Sequence, residues 1–105
     1  MSEYLDDVKR YAANADEKAV DGIVKHLGIA LKSKDASLVS CSSKDELARV
    51  RDSWCKKKLG LTDSDADLDK AISDICETMK GDHRKHRVTF YYLLAEKYNK
   101  VSDLI

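Results

Sequence analysis

The sequence predicts an all-α domain of about five helices, an orthogonal or irregular bundle around a C-terminal central helix at about 83–99. Three observations lead there. The chain of 105 residues has no proline and only four glycines, the residues that usually punctuate loop-rich and all-β folds. Apolar residues recur at helical spacing in successive segments. The stretch Val88–Tyr98 is apolar over most of a helical circumference, with Val88, Tyr91, Tyr92, Ala95 and Tyr98 on one face and Phe90, Leu94 and Val101 beside it. A helix apolar nearly all round is wrapped by others. Only Thr89, Glu96, Lys97 and Lys100 mark a polar strip, which is expected to face solvent.

Taken in order, helix one runs from Glu3 to about Ala13, with Tyr4, Leu5, Val8, Tyr11 and Ala12 on one face. Asn14 and Glu17 fit a capping box, opening helix two at about Ala15 to Leu27. Gly28 either ends that helix in a left-handed conformation or is passed through toward Leu31. Residues 32–43 form the main irregular stretch, in which Leu38 and Val39 dock on the core or form an extended piece. Ser43 and Glu46 make a second capping box for helix three, which stops at Leu59 before Gly60. Thr62 is expected to cap helix four, whose stripe is Leu68, Ile72, Ile75, Cys76 and Met79 up to Gly81. Asp82 is expected to cap helix five, with 101–105 a fraying tail. The whole of 1–105 reads as one domain with one core.

Composition narrows function. Lys+Arg and Asp+Glu are both 19, a formal net charge of zero, which weighs against general nucleic-acid binding. The acidic start lacks a secretory h-region, and no apolar run is long enough to span a membrane, so a cytoplasmic location is expected. Cys41, Cys55 and Cys76 are odd in number and show no CxxC spacing, so they read as reduced thiols.

The order of residues is also familiar. The segments Tyr4-Leu5-Asp6-Asp7-Val8-Lys9, Ile23–Leu31, Leu47-Ala48-Arg49-Val50-Arg51, Trp54–Leu59 and Val88–Ala95 carry a nearly full-length resemblance. The chain resembles a family of short bacterial proteins known as domain of unknown function 2853. That resemblance implies an all-helical bacterial domain and assigns no activity, substrate or cofactor.

Asp63-Ser64-Asp65-Ala66-Asp67 opens like a calcium-binding EF-hand loop. The match then fails at Leu68, where the motif needs glycine, at Lys70, and at Asp74, where it needs glutamate. The run is read instead as acids complementing a helix N-terminus. His83 and His86 could share a helix face, but a zinc site needs a third protein ligand, so no metal and no cofactor are expected. His26 sits on the rim of the helix-two stripe and reads as partly packed.

Two basic clusters, 56–58 and 83–87, could hold phosphate or nucleic acid through Lys56, Lys57, Arg84 and Arg87. No aromatic residue interleaves them. Helices three and four could form a helix-turn-helix, yet helix four carries Asp65, Asp67, Asp69, Asp74 and Glu77 and would repel DNA. Cys41 precedes a helix start, where a thiol can become reactive. Arg51 interrupts the apolar arc of Leu47, Val50, Trp54 and Cys55. It must snorkel or be paired, either as an anion-binding group beside Trp54 or in an ion pair with an acid of helix one or four. The tyrosines are expected to rim a small core or to form a dimer face. No nucleophile–base pair or phosphate-cradling loop stands out. The leading expectation is therefore a non-enzymatic protein-interaction module, with a homodimer as one form, using a surface that includes Arg51 and Trp54. The alternative is nucleic-acid or phosphate binding through the two basic clusters.

Overall fold

The order of elements in the computed structural model is α1 (Ser2–Lys9), α2 (Glu17–Leu27), α3 (Lys44–Arg49) running on into a π-helical segment (Val50–Lys58), α4 (Asp65–Thr78), α5 (Arg87–Lys97) and a short 3-10 turn (Val101–Leu104). The structure describes residues 2–28, 38–81 and 85–104, without the side chains of Ser2, Glu3 and Asp103. The architecture is an all-α bundle. Its centre is α5, against which α1, α2, α4 and the C-terminal turn all pack. Every residue from Val88 to Ala95 is buried.

That burial includes Thr89, at 0% exposure, which the sequence pattern assigned to the solvent strip. Its hydroxyl donates to the Asp7 carboxylate on α1. A buried hydroxyl is tolerated because this partner replaces water. Tyr91 and Tyr92 are likewise buried rather than at a rim. The Tyr92 hydroxyl accepts from the Asp16 backbone N–H at 2.9 Å, tying the start of α2 to the central helix. Asp16, not Asn14, caps α2, its carboxylate accepting from Lys18 N. Gly28 ends α2 with φ +47°, a conformation that side chains resist; the alternative end at Leu31 lies outside the described residues.

Half of the capping box at Ser43 forms: Ser43 Oγ accepts from Glu46 N at 3.3 Å, while Ser43 N donates to the Ser40 carbonyl and the Glu46 carboxylate turns to Arg87 instead. Helix three then widens. Leu59 N donates to the Trp54 carbonyl at 2.9 Å, a π-type spacing. The Ser53 hydroxyl donates to the Arg49 carbonyl at 2.6 Å and so competes with the regular ladder at this point. The inward residues of the segment are Val50, Trp54 and Cys55. Gly60, with φ +66°, turns the chain after Leu59.

Ser64 caps α4 rather than Thr62: its hydroxyl accepts from Asp67 N at 3.2 Å. Asp65 and Asp67 stand in the first helical turn, so the backbone there is helix and not a calcium loop. Helix five begins at Arg87, later than the 83 expected from the sequence. Lys85 and His86 are extended: Val39 N donates to the Lys85 carbonyl at 2.8 Å, and Leu38 bridges to His86. The expected cap, Asp82, lies outside the described residues.

Val101–Leu104 form a 3-10 turn in place of the expected fraying tail, Ile105 lying outside the described residues. Asn99 adopts φ 58°, which asparagine tolerates better than most side chains. Lys100 N then closes onto the Ala95 carbonyl at 2.7 Å. The reversed chain lays Val101–Leu104 on α2, with Leu104 only 6% exposed. Gly22 permits the approach, since a Cβ there would lie 2.1 Å from the Leu104 carbonyl oxygen.

Candidate functional site

Helix three with its π-helical continuation and α4 run antiparallel. Residues early on one meet residues late on the other. Lys56, late on the first, reaches Asp65 at the start of α4. Arg51 donates to both oxygens of Asp69 at 3.1 and 3.2 Å and to Asp52 at 3.0 Å. Cys41, just before α3, is disulfide-bonded to Cys76 near the end of α4, with Cα atoms 6.0 Å apart.

Between these cross-links lies a groove of about 500 Å³. Leu47, Ala48 and Ile72 supply its apolar lining, and Lys44, Asp45, Arg51 and Asp69 its charged lining. The two cations and two anions balance. Leu47 and Ala48 are half-buried at the rim, and Ile72, 1% exposed, forms the floor.

The structure redistributes the sequence candidates. Trp54 is fully buried and offers no surface. Its ring stacks on Tyr91 with centroids 4.4 Å apart, and its Nε1–H donates to the Tyr91 carbonyl at 3.1 Å. His26 tilts over the Trp54 ring at 5.4 Å, and partial burial together with the Lys58 charge lowers its pKa below the ordinary 6.5. Arg51 is the ion pair with helix four, held by carboxylates on both sides. Those hydrogen bonds to Asp52 and Asp69 push its pKa still higher.

The basic clusters are dispersed in the same way. Lys56 is engaged by Asp65 and Asp52, and the Lys56 hydrogen bond holds the Asp65 carboxyl below the usual carboxylate range. Arg87 faces inward. It pairs with Glu46, donates to the Leu38 carbonyl at 3.2 Å and to the Tyr91 hydroxyl at 3.1 Å, and is 11% exposed. Lys57 is exposed beside a shallow hollow that includes Arg49 and Ser53. Arg84 and His83 lie outside the described residues.

The cysteine reading is corrected. Cys41 is not a free thiol, and Cys41 with Cys76 forms the cross-link that odd count and spacing argued against. The antiparallel helix pair brings two distant cysteines within the reach a disulfide needs. A signal was present: Cys41 and Cys76 stand at similar distances on either side of Gly60, where an antiparallel hairpin pairs residues. Cys55 alone is free and buried, and burial pushes its thiol up to about 11. Among the described residues no group of three or more His, Cys, Asp or Glu side chains gathers to hold a metal ion, and no helix is long and apolar enough to cross a membrane.

The fold and groove define a small all-helical bundle with a two-walled surface groove. The model of the family described as protein of unknown function (DUF2853) matches residues 3–102, and the chain belongs to that family. No curated protein matches the chain.

Proposed function

We propose that the protein is a non-enzymatic interaction module of the bacterial cytoplasm that binds a protein partner, a second copy of itself included, through the α3–α4 groove. The observation that carries this reading is the lining: Leu47, Ala48 and Ile72 beside charges of both signs. Such a surface suits a peptide segment that inserts an apolar side chain between flanking charges. It does not suit a phosphate, which would meet Asp45 and Asp69.

The alternative, nucleic acid or phosphate at 56–58 and 83–87, loses support because Lys56 and Arg87 already neutralise carboxylates within the fold. The test compares the wild type with Ala48→Arg, which fills the groove. Capture from cell lysate that survives nuclease and moderate salt, and is lost in Ala48→Arg with its thermal unfolding unchanged, supports the reading. Sedimentation across a concentration series identifies a homodimer. Capture of nucleic acid alone, declining as salt rises, would favour the alternative.

A further inference from the structure

We infer that the Cys41–Cys76 disulfide is a reducible clasp that fixes the α3–α4 groove, so that reduction loosens its α3 wall. The inference rests on the groove being the contact surface, and it supplies the regulation of that surface. The groove's two walls are joined at both ends. Arg51–Asp69 and Lys56–Asp65 join them at one end by charge. Cys41–Cys76 joins them at the other by a covalent bond.

The neighbouring contacts of the 38–46 segment lead elsewhere, to α5 and the residues just before it. Val39 binds the Lys85 carbonyl, Leu38 bridges to His86, and Glu46 pairs with Arg87. Opening the disulfide therefore removes the covalent link at this end of the two walls and leaves α3 held to α4 by side-chain packing alone, while the segment stays attached at α5. The change is local to the groove and leaves the central helix in place. Access differs in the same sense. Cys41 and Cys76 are half-buried, whereas Cys55 is fully buried.

The co-reactant is a dithiol reductant. Its thiolate attacks one sulfur of the pair, forming a mixed disulfide and releasing the other cysteine as a thiolate that takes up a proton. The second thiol of the reductant, losing its proton, then displaces the remaining cysteine. Two electrons pass to Cys41 and Cys76, and the reductant leaves as its own disulfide.

The experiment treats the oxidised full chain with dithiothreitol under native conditions. Alkylation with mass readout follows the cysteines, and hydrogen exchange follows the backbone. The expected result is labelling of Cys41 and Cys76 with Cys55 protected. At labelling times too short for 88–95 to exchange in either state, exchange across 40–49 should rise on the order of tenfold. The Cys41→Ser/Cys76→Ser variant should reproduce the reduced pattern; should it not fold, the reduced wild type gives the same reading. A pair that never bonds under oxidant, a bond that yields only when the chain unfolds, or a reduced protein exchanging like the oxidised one would each overturn the clasp. Exchange needs no partner, so the two readings fail separately. Altered exchange with capture insensitive to Ala48→Arg removes the docking role alone, and unaltered exchange with groove-dependent capture removes the clasp alone.

Discussion

Replacing Gly22 by alanine sets two effects of opposite sign against each other. Within a helix, glycine to alanine stabilises by about 0.8–1 kcal/mol, because alanine has less backbone freedom to lose. At Gly22 the new Cβ would stand 2.1 Å from the Leu104 carbonyl oxygen and 3.2 Å from its carbon. These are backbone atoms, so no rotamer change relieves the clash, and the turn Val101–Leu104 must lift off α2. Leu104 is 6% exposed, and exposing a leucine side chain costs about 1.5–3 kcal/mol. The contact outweighs the propensity, and the expected net is a loss of about 1–2 kcal/mol. Urea unfolding of Gly22→Ala, Leu104→Ala and the double variant reads this directly. Leu104→Ala should cost about 2 kcal/mol in the wild type and almost nothing once Gly22→Ala has displaced the turn. A more stable Gly22→Ala, or costs that simply add, would refute the docking of the C-terminal turn on α2.

The Glu46–Arg87 pair is 16% and 11% exposed, so Glu46→Ala takes a carboxylate from a largely buried cation and should cost about 2–3 kcal/mol in unfolding free energy. Arg51→Met, whose partner Asp69 is 52% exposed, should cost less than about 1 kcal/mol; equal losses would contradict the assignment of Arg87 to the interior. By NMR titration His26 should have a pKa below the ordinary 6.5, and Lys58→Ala should raise it part of the way back. Because the folded state binds that proton less readily than the unfolded chain, the His26 contribution is complete above 6.5 and is lost as pH falls through the lowered value; a His26 pKa at or above 6.5 would count against its packing on Trp54. Cys41→Ser/Cys76→Ser removes a cross-link spanning a separation of 35 residues, and loop-closure entropy sets the loss at about 3–4 kcal/mol in denaturant unfolding. An unchanged midpoint would mean the bond does not constrain the unfolded chain.

Much of the fold was legible locally. Apolar stripes at helical spacing gave the helices, Ser43 with Glu46 gave the start of helix three, Gly60 its end, and the nearly all-round apolar surface of 88–98 gave the central helix. Each of these depends on residues within a turn or two of one another. The neutral charge balance was equally a property of sequence. Tertiary structure decided the rest. Thr89 looked solvent-facing until Asp7, far away in the chain, supplied its partner. Helix five starts late because Leu38 and Val39 hold Lys85 and His86 extended. Arg87, read as part of a surface cluster, became an interior ion pair because Glu46 waits for it there. The groove exists only because two helices meet antiparallel, and the same meeting joins Cys41 to Cys76. Sequence alone determined which segments become helices, since hydrophobic period and capping act over short range. Which polar group is satisfied by which, and where a surface is left open, was decided by contacts between segments whose separation along the chain carries no local signal.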